Sequence, residues 1–150
     1  VPDEVMQDLF AYGTLMCADI MRAVSGCQEL TGSAGLLRDH IRLYVRGEHY
    51  PGLLLCPGSC VEGVVYPAVP AQAWERLDRY EGDLYRRVGI DVELGAAGIR
   101  RVQTYLVRPE LSGCLENRVW ELEGFLRHGK AEFERAYAGY TAIVDTHVTS

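Results

Sequence analysis

The chain has 150 residues, 48% hydrophobic and 24% charged, the balance of a soluble globular protein. That length suits a single domain over 1–150 and leaves little for a second. A net charge of −6 and a pI near 5.2 argue against the basic face of a nucleic-acid binder, and no apolar run approaches the roughly 18 residues of a spanning helix.

The N-terminal VPDEVMQDLF lacks a basic region followed by a long apolar core, so no signal peptide is expected. A first strand is expected at Leu9 to Tyr12, then a short helix from Ala18 to Val24 that stops near Ser25-Gly26. Strand-like runs follow at Leu30 to Leu37, Ile41 to Val45, Gly52 to Cys56 and Cys60 to Tyr66. Pro57-Gly58-Ser59 separates the last two closely enough to read as a hairpin loop. Pro70 to Tyr80 has helical periodicity, with Pro70 in the first turn and Gly82 as the stop. Two more strands, Val88 to Leu94 and Val102 to Val107, flank a glycine-containing hairpin. A looser stretch from Arg108 to Arg118 leads into helical sequence from Val119 to about Tyr140, with a candidate break at Gly129. Many strands joined by short turns, with few helices, predict an α+β fold: a small, mainly antiparallel β-barrel with flanking helices.

The five cysteines have no disulfide spacing, and neither they nor the four histidines form a familiar zinc pattern. Free thiols in a reducing cytoplasm, and no metal, are the expectation.

Two stretches carry chemistry. In Leu9-Phe10-Ala11-Tyr12-Gly13-Thr14-Leu15-Met16 a buried strand breaks at a small, polar turn and returns at once to apolar residues. Gly13 permits positive φ or a close backbone approach. Successive N–H groups in such a turn can form an anion site, to which Thr14 adds a hydroxyl. An ordinary strand-end turn would look the same. The second stretch is the helix before Gly82. Trp74, Leu77 and Glu81 are spaced i, i+3, i+7 and share the inward face. Burial and the negative end of the helix dipole both favour the neutral carboxyl there, raising its pKa toward the range useful for proton transfer. Alternatively Glu81 swings to solvent or pairs with Arg86 or Arg87.

Four motifs in order resemble the gamma-glutamylcyclotransferase-like superfamily. They are Phe10-Ala11-Tyr12-Gly13-Thr14-Leu15, Tyr50-Pro51-Gly52-Leu53, Val61-Glu62-Gly63-Val64-Val65-Tyr66, and Leu77-Asp78-Arg79-Tyr80-Glu81-Gly82 followed by Tyr85-Arg86-Arg87. The resemblance spans roughly Leu9 to Val107 and implies a small mixed α+β barrel. It also implies cyclisation of the γ-glutamyl group of an amide to 5-oxoproline, with release of an amine and no cofactor. Carried over, Glu81 matches the catalytic glutamate, and Tyr12, Gly13, Thr14 and Leu15 match the loop that cradles the γ-glutamyl moiety. Tyr85 is a further candidate, to bind substrate or orient the glutamate. Gly13-Thr14-Leu15 resembles the Tyr-Gly-Thr-Leu members, some acting on γ-glutamyl amines, rather than the amino-acid-releasing animal enzymes. Met16-Cys17-Ala18 lacks the Lys and Gly that follow the motif in the γ-glutamylamine enzymes. The expected partner is a small γ-glutamyl molecule, with no nucleic acid and no membrane. The competing readings are a non-catalytic metabolite-binding protein of the same fold and a γ-glutamyl-removing enzyme in a biosynthetic pathway.

Overall fold

The first strand is buried on both faces, and the architecture follows from that. In the computed structural model, which describes residues 7–136, β1 (Gln7–Ala11) sends Leu9 and Ala11 into one apolar cluster and Phe10 into another. Alternate side chains of a strand point to opposite faces, so β1 separates two cores.

β1 pairs antiparallel with β3 (Pro51–Val69) and parallel with β5 (Ile99–Val107). β5 pairs antiparallel with β4 (Tyr85–Glu93), and β4 meets β2 (Ser33–Val45) where Leu36 faces Glu93. β2 runs antiparallel along β3, which closes a ring of five strands. An Arg38–Glu93 ion pair ties the narrow β2–β4 seam. β6 (Leu115–Val119) adds to β2 outside the ring. Closure removes the exposed strand edges that an open sheet would present. The inside of the ring is filled by Phe10, Leu37, Val61, Val65, Val92 and Val102, at least one from each of the five strands.

The other core lies between the ring and the helices. α1 (Ala18–Ser25) contributes Ile20, Met21 and Val24, and α2 (Ala71–Glu81) contributes Trp74 and Leu77. The chain then passes through α3 (Leu122–Gly124), a π-helical turn (Phe125–Gly129) and α4 (Lys130–Ala136), which add Phe125 and Phe133. The expected small α+β barrel with flanking helices is what the chain forms.

Several element boundaries differ from expectation. Leu30 to Leu37 and Ile41 to Val45 are parts of a single strand, β2, which starts at Ser33. Gly52 to Cys56 and Cys60 to Tyr66 are likewise parts of β3. Pro57-Gly58-Ser59 is therefore not a hairpin loop. It is an outward bulge, across which the β2–β3 register moves from Arg38 opposite Cys60 to His40 opposite Leu55. Asp39, at φ 63°, absorbs the shift on the other strand, and its Oδ1 accepts the Gly58 N–H at 3.0 Å. The real hairpin turn lies over 46–50, where the Val45 N–H meets the Tyr50 carbonyl at 3.0 Å. A Pro-Gly-Ser run marks a reversal and a bulge equally well, and only the partner strand distinguishes them.

β4 and β5 start at Tyr85 and Ile99 rather than at Val88 and Val102, because their ladder runs from Tyr85 opposite Val107 to Glu93 opposite Ile99. The stretch expected to be loose holds a 3-10 turn (Pro109–Cys114) and β6. The C-terminal helical region begins at Leu122 rather than Val119, and a π-helical turn stands where a break at Gly129 was expected. The expected helix over 137–140 and the leader reading over 1–6 lie outside the described residues. Among the described residues no helix is long and apolar enough to cross a membrane.

Candidate active site

Beyond Ala11 the chain leaves the sheet through Tyr12 and Gly13 into a 3-10 turn (Thr14–Met16) and then α1. Gly13 has φ −129°, so positive φ is not why glycine stands there. A Cβ at Gly13 would lie 2.8 Å from Pro51 Cδ, so the position serves the close approach of the turn to the start of β3. The Met16 N–H bonds the Gly13 carbonyl at 2.9 Å, and the Cys17 N–H bonds the Thr14 carbonyl at 3.1 Å. The Thr14 and Leu15 N–H groups precede the first bonded donor of the turn, where a helical start leaves donors unused. Arg42 braces the turn from β2. Its Nη1 donates to the Tyr12 carbonyl at 2.9 Å and the Glu62 carbonyl at 2.8 Å, and its Nε donates to the Trp120 carbonyl at 2.9 Å.

The opposite side is α2. Trp74 and Leu77 are buried, and the Trp74 Nε1–H donates to the Val69 carbonyl at 3.0 Å, so the helix is clamped by its inward face. Gly82 ends it with φ 77°, a conformation that side chains disfavour, and its N–H returns to the Asp78 carbonyl. Glu81, the last helical residue, is thereby delivered to the apolar side. Among the described residues its carboxyl makes no hydrogen bond and no ion pair. Arg87, one of the two arginines that might have held it, pairs with Asp78 instead, 3.6 Å between Nη1 and Oδ2. Burial first, and the negative charge of Asp78 second, push the Glu81 carboxyl up to about 8.

A cavity of about 240 Å³ brings the two sides together. Tyr12, Gly13, Thr14, Leu15, Glu81 and Tyr85, the six residues singled out in the sequence, all line it. Their hydroxyls are partly committed. Tyr12 donates to the Tyr105 carbonyl at 2.5 Å, and Tyr85 donates to the Pro51 carbonyl at 2.7 Å. The Thr14 Oγ1 and Tyr80 hydroxyl share a bond at 2.9 Å. Burial raises Tyr12 and Tyr85 well above the usual tyrosine range, so both face the cavity as neutral phenols.

Sequence reasoning did not single out Tyr80, Tyr105, Arg79 or Phe133, which also line the cavity. Tyr80 sits beside Glu81 and could have been noticed there. Tyr105 and Phe133 read as ordinary core residues. Arg42 carried a faint signal, a charge between Ile41 and Leu43 in an apolar run. Among the described residues no three His, Cys, Asp or Glu side chains gather as a metal would need, and all five cysteines are unpaired thiols.

Comparison with known proteins places the chain in a family. The sequence model described as "Gamma-glutamyl cyclotransferase, AIG2-like" matches residues 9–123. The chain belongs to that family. A curated relative, AIG2-like protein D of Arabidopsis thaliana, is 28% identical over 134 residues, covering 83% of this chain and 88% of its own. An AIG2-like protein of Mus musculus, known by crystal structure, is 26% identical with a TM-score of 0.61, covering 79% of this chain and 90% of its own. A protein of Arabidopsis thaliana known in solution shares the fold, with TM-score 0.66 at 21% identity and 92% of each chain covered. The family match runs from the cavity turn through α2 to the edge of α3, so both sides of the cavity fall within it. Membership supports a cyclotransferase-type activity in general and a small-molecule substrate.

Proposed function

We propose that this family member is a cyclotransferase that converts the γ-glutamyl group of a γ-glutamyl amine or amide into 5-oxoproline, with Glu81 as general acid and base. The observation that carries the reading is a carboxyl without a hydrogen-bond partner among the described residues, raised to about 8, in the same cavity as a turn whose Thr14 and Leu15 N–H groups precede its first bonded donor.

The reaction asks for both features. The nucleophile is the substrate's own α-amine, an ammonium at neutral pH. As the substrate settles, the ammonium's positive charge favours the carboxylate, so Glu81 gives up its own proton to solvent and then takes one from the ammonium. The freed nitrogen attacks the γ-carbonyl carbon, a C–N bond forms, and the carbonyl oxygen becomes an oxyanion. Collapse breaks the old C–N bond, and Glu81 returns a proton to the departing nitrogen. The attacking nitrogen loses two protons overall. The leaving amine takes up two and departs as an ammonium. A carboxyl poised near neutrality suits both transfers. Donors at Thr14 and Leu15 suit either the α-carboxylate or the oxyanion. Folding a flexible glutamyl chain against Tyr12 and Tyr85 favours the near-attack geometry.

The test is 5-oxoproline release from γ-glutamyl amines, γ-glutamyl amino acids and glutathione, with wild type and Glu81→Gln compared. Release from one panel member, reduced roughly 10³-fold or more in the variant, is expected. Equal release from both proteins would overturn the assignment of Glu81. Saturable binding across the panel without any release would favour a non-catalytic binder.

A further inference from the structure

Asp78 precedes Glu81 by three residues on α2, the spacing that places two side chains on one helix face. Unlike Glu81, it is tied down. The Tyr105 hydroxyl donates to its Oδ1 at 2.6 Å, and Arg87 Nη1 stands 3.6 Å from Oδ2. Arg87 and Tyr105 are directly opposite each other in the β4–β5 ladder, so the strand register itself builds the clamp. The clamp is fixed at both ends. The Arg87 guanidinium carbon lies 4.6 Å from the Trp74 ring centre, one turn back on α2. The Tyr105 carbonyl accepts the Tyr12 hydroxyl at the cavity turn.

We propose that Asp78 is a positioning residue that acts through Glu81: clamped by the cross-strand pair Arg87 and Tyr105, its carboxylate presents a fixed negative charge to the Glu81 carboxyl one helical turn on. The inference rests on the reading of Glu81 as the acid–base group. Asp78 touches no reacting atom. A like charge nearby favours the protonated carboxyl, so the clamp holds Glu81 ready to surrender its charge until a cation arrives. Arg87 moderates the effect by partly neutralising Asp78. The other ionisable groups that line the cavity with Glu81 are Arg79 and Tyr80 on α2, Tyr85 on β4, Tyr105 on β5, Tyr12 after β1 and Tyr50 before β3. Tyr12, Tyr85 and Tyr105 are all raised, by burial first, and stay neutral across the working range. Arg79 is exposed at the cavity. Asp78 is the negative partner of the set.

Removing either member of the Asp78–Arg87 pair therefore moves Glu81 in opposite directions, which loss of a merely structural contact would not do. The readout is the titration midpoint of the Glu81 side-chain carboxyl, followed by 13C NMR with the signal assigned through Glu81→Gln. Asp78→Asn lowers the midpoint and Arg87→Met raises it, each by roughly half a unit to one unit, since both groups are partly exposed and screened. The acid limb of kcat/KM for 5-oxoproline release follows the same shifts. Arg87→Met retains an apolar stem over Trp74 and stands alone as the test if Asp78→Asn fails to fold. Unmoved midpoints, or shifts of one sign, overturn the proposal. Opposed midpoint shifts with no 5-oxoproline release from any panel compound would sustain the Asp78–Glu81 coupling and sink the cyclotransferase reading instead.

Discussion

The hydroxyls of Thr14 and Tyr80 share a hydrogen bond at 2.9 Å across 66 positions of sequence. It joins the cavity turn to the residue next to Glu81, a direct link between the two halves of the site beside the longer one from Tyr12 through Tyr105 to Asp78. Tyr80→Phe removes that bond and little volume. Stability is expected to fall by only about 1 kcal/mol, the net worth of one partly buried hydrogen bond. Turnover is expected to fall further, by roughly 10-fold or more in kcat/KM, because small displacements of reacting groups are costly. Urea melts beside 5-oxoproline assays separate the two. A variant that melts much earlier yet turns over normally would show the bond to be structural only.

The Glu81 carboxyl makes stability depend on pH with an unusual sign. Its folded value is about 8 against 4.5 ordinarily. Between those values the folded protein keeps a proton that the unfolded chain has released. Stability from this group is fully present below about 4.5, falls as pH rises through about 8, and levels off above. Glu81→Gln lacks the titration. It is expected to match wild type near pH 4 and to exceed it by up to a few kcal/mol near pH 9. Denaturant midpoints for both proteins at the two pH values test this. A parallel pH dependence would mean that Glu81 titrates normally.

Catalysis should carry the same signature. The kcat/KM of wild type is expected to rise with pH through an acid limb near 8, where the carboxyl becomes available as a base. A limb near ordinary carboxylate values would assign the base elsewhere.

How much of this was legible in the sequence depended on the distance over which each feature is set. Trp74, Leu77 and Glu81 share a face by local helix geometry, so spacing alone placed the carboxyl inward. Gly82 as the helix stop is equally local. The Pro57-Gly58-Ser59 bulge was misread because its signal is local while its meaning depends on Asp39 on the opposing strand. Thr14–Tyr80, Tyr12–Tyr105 and Tyr105–Asp78 were not legible at all. Each joins elements that meet only when the ring closes, through the parallel β1–β5 pairing and the β4–β5 register. Tyr12 and Tyr85 were placed in the cavity, but that their hydroxyls bond backbone carbonyls follows from the same closure.

Tyr85 gives a prediction of its own. Its hydroxyl donates at 2.7 Å to the buried Pro51 carbonyl, at the strand start that the turn approaches. Tyr85→Phe leaves that carbonyl without this donor, at an expected cost of about 1–3 kcal/mol. Thermal unfolding of the variant checks it. An unchanged melting temperature would mean that the hydroxyl is free to serve the cavity instead.

Gly13 tests the closeness of turn and strand directly. Its φ of −129° is not left-handed, and the nearest atoms a side chain there would meet belong to Pro51. Gly13→Ala places a Cβ 2.8 Å from Pro51 Cδ, closer than real contacts allow, and the contact lies in the ring of proline rather than in a flexible tip. Either the turn or the β3 start must shift, at an expected cost of about 1–3 kcal/mol. Because the Thr14 and Leu15 N–H groups move with the turn, kcat/KM should fall as well. Pro51→Ala removes Cγ and Cδ, the two atoms in the way. In the double variant Gly13→Ala/Pro51→Ala the two changes should be strongly non-additive, recovering most of what Gly13→Ala loses. Additive losses in stability and turnover would mean that Gly13 is required for something other than room against Pro51.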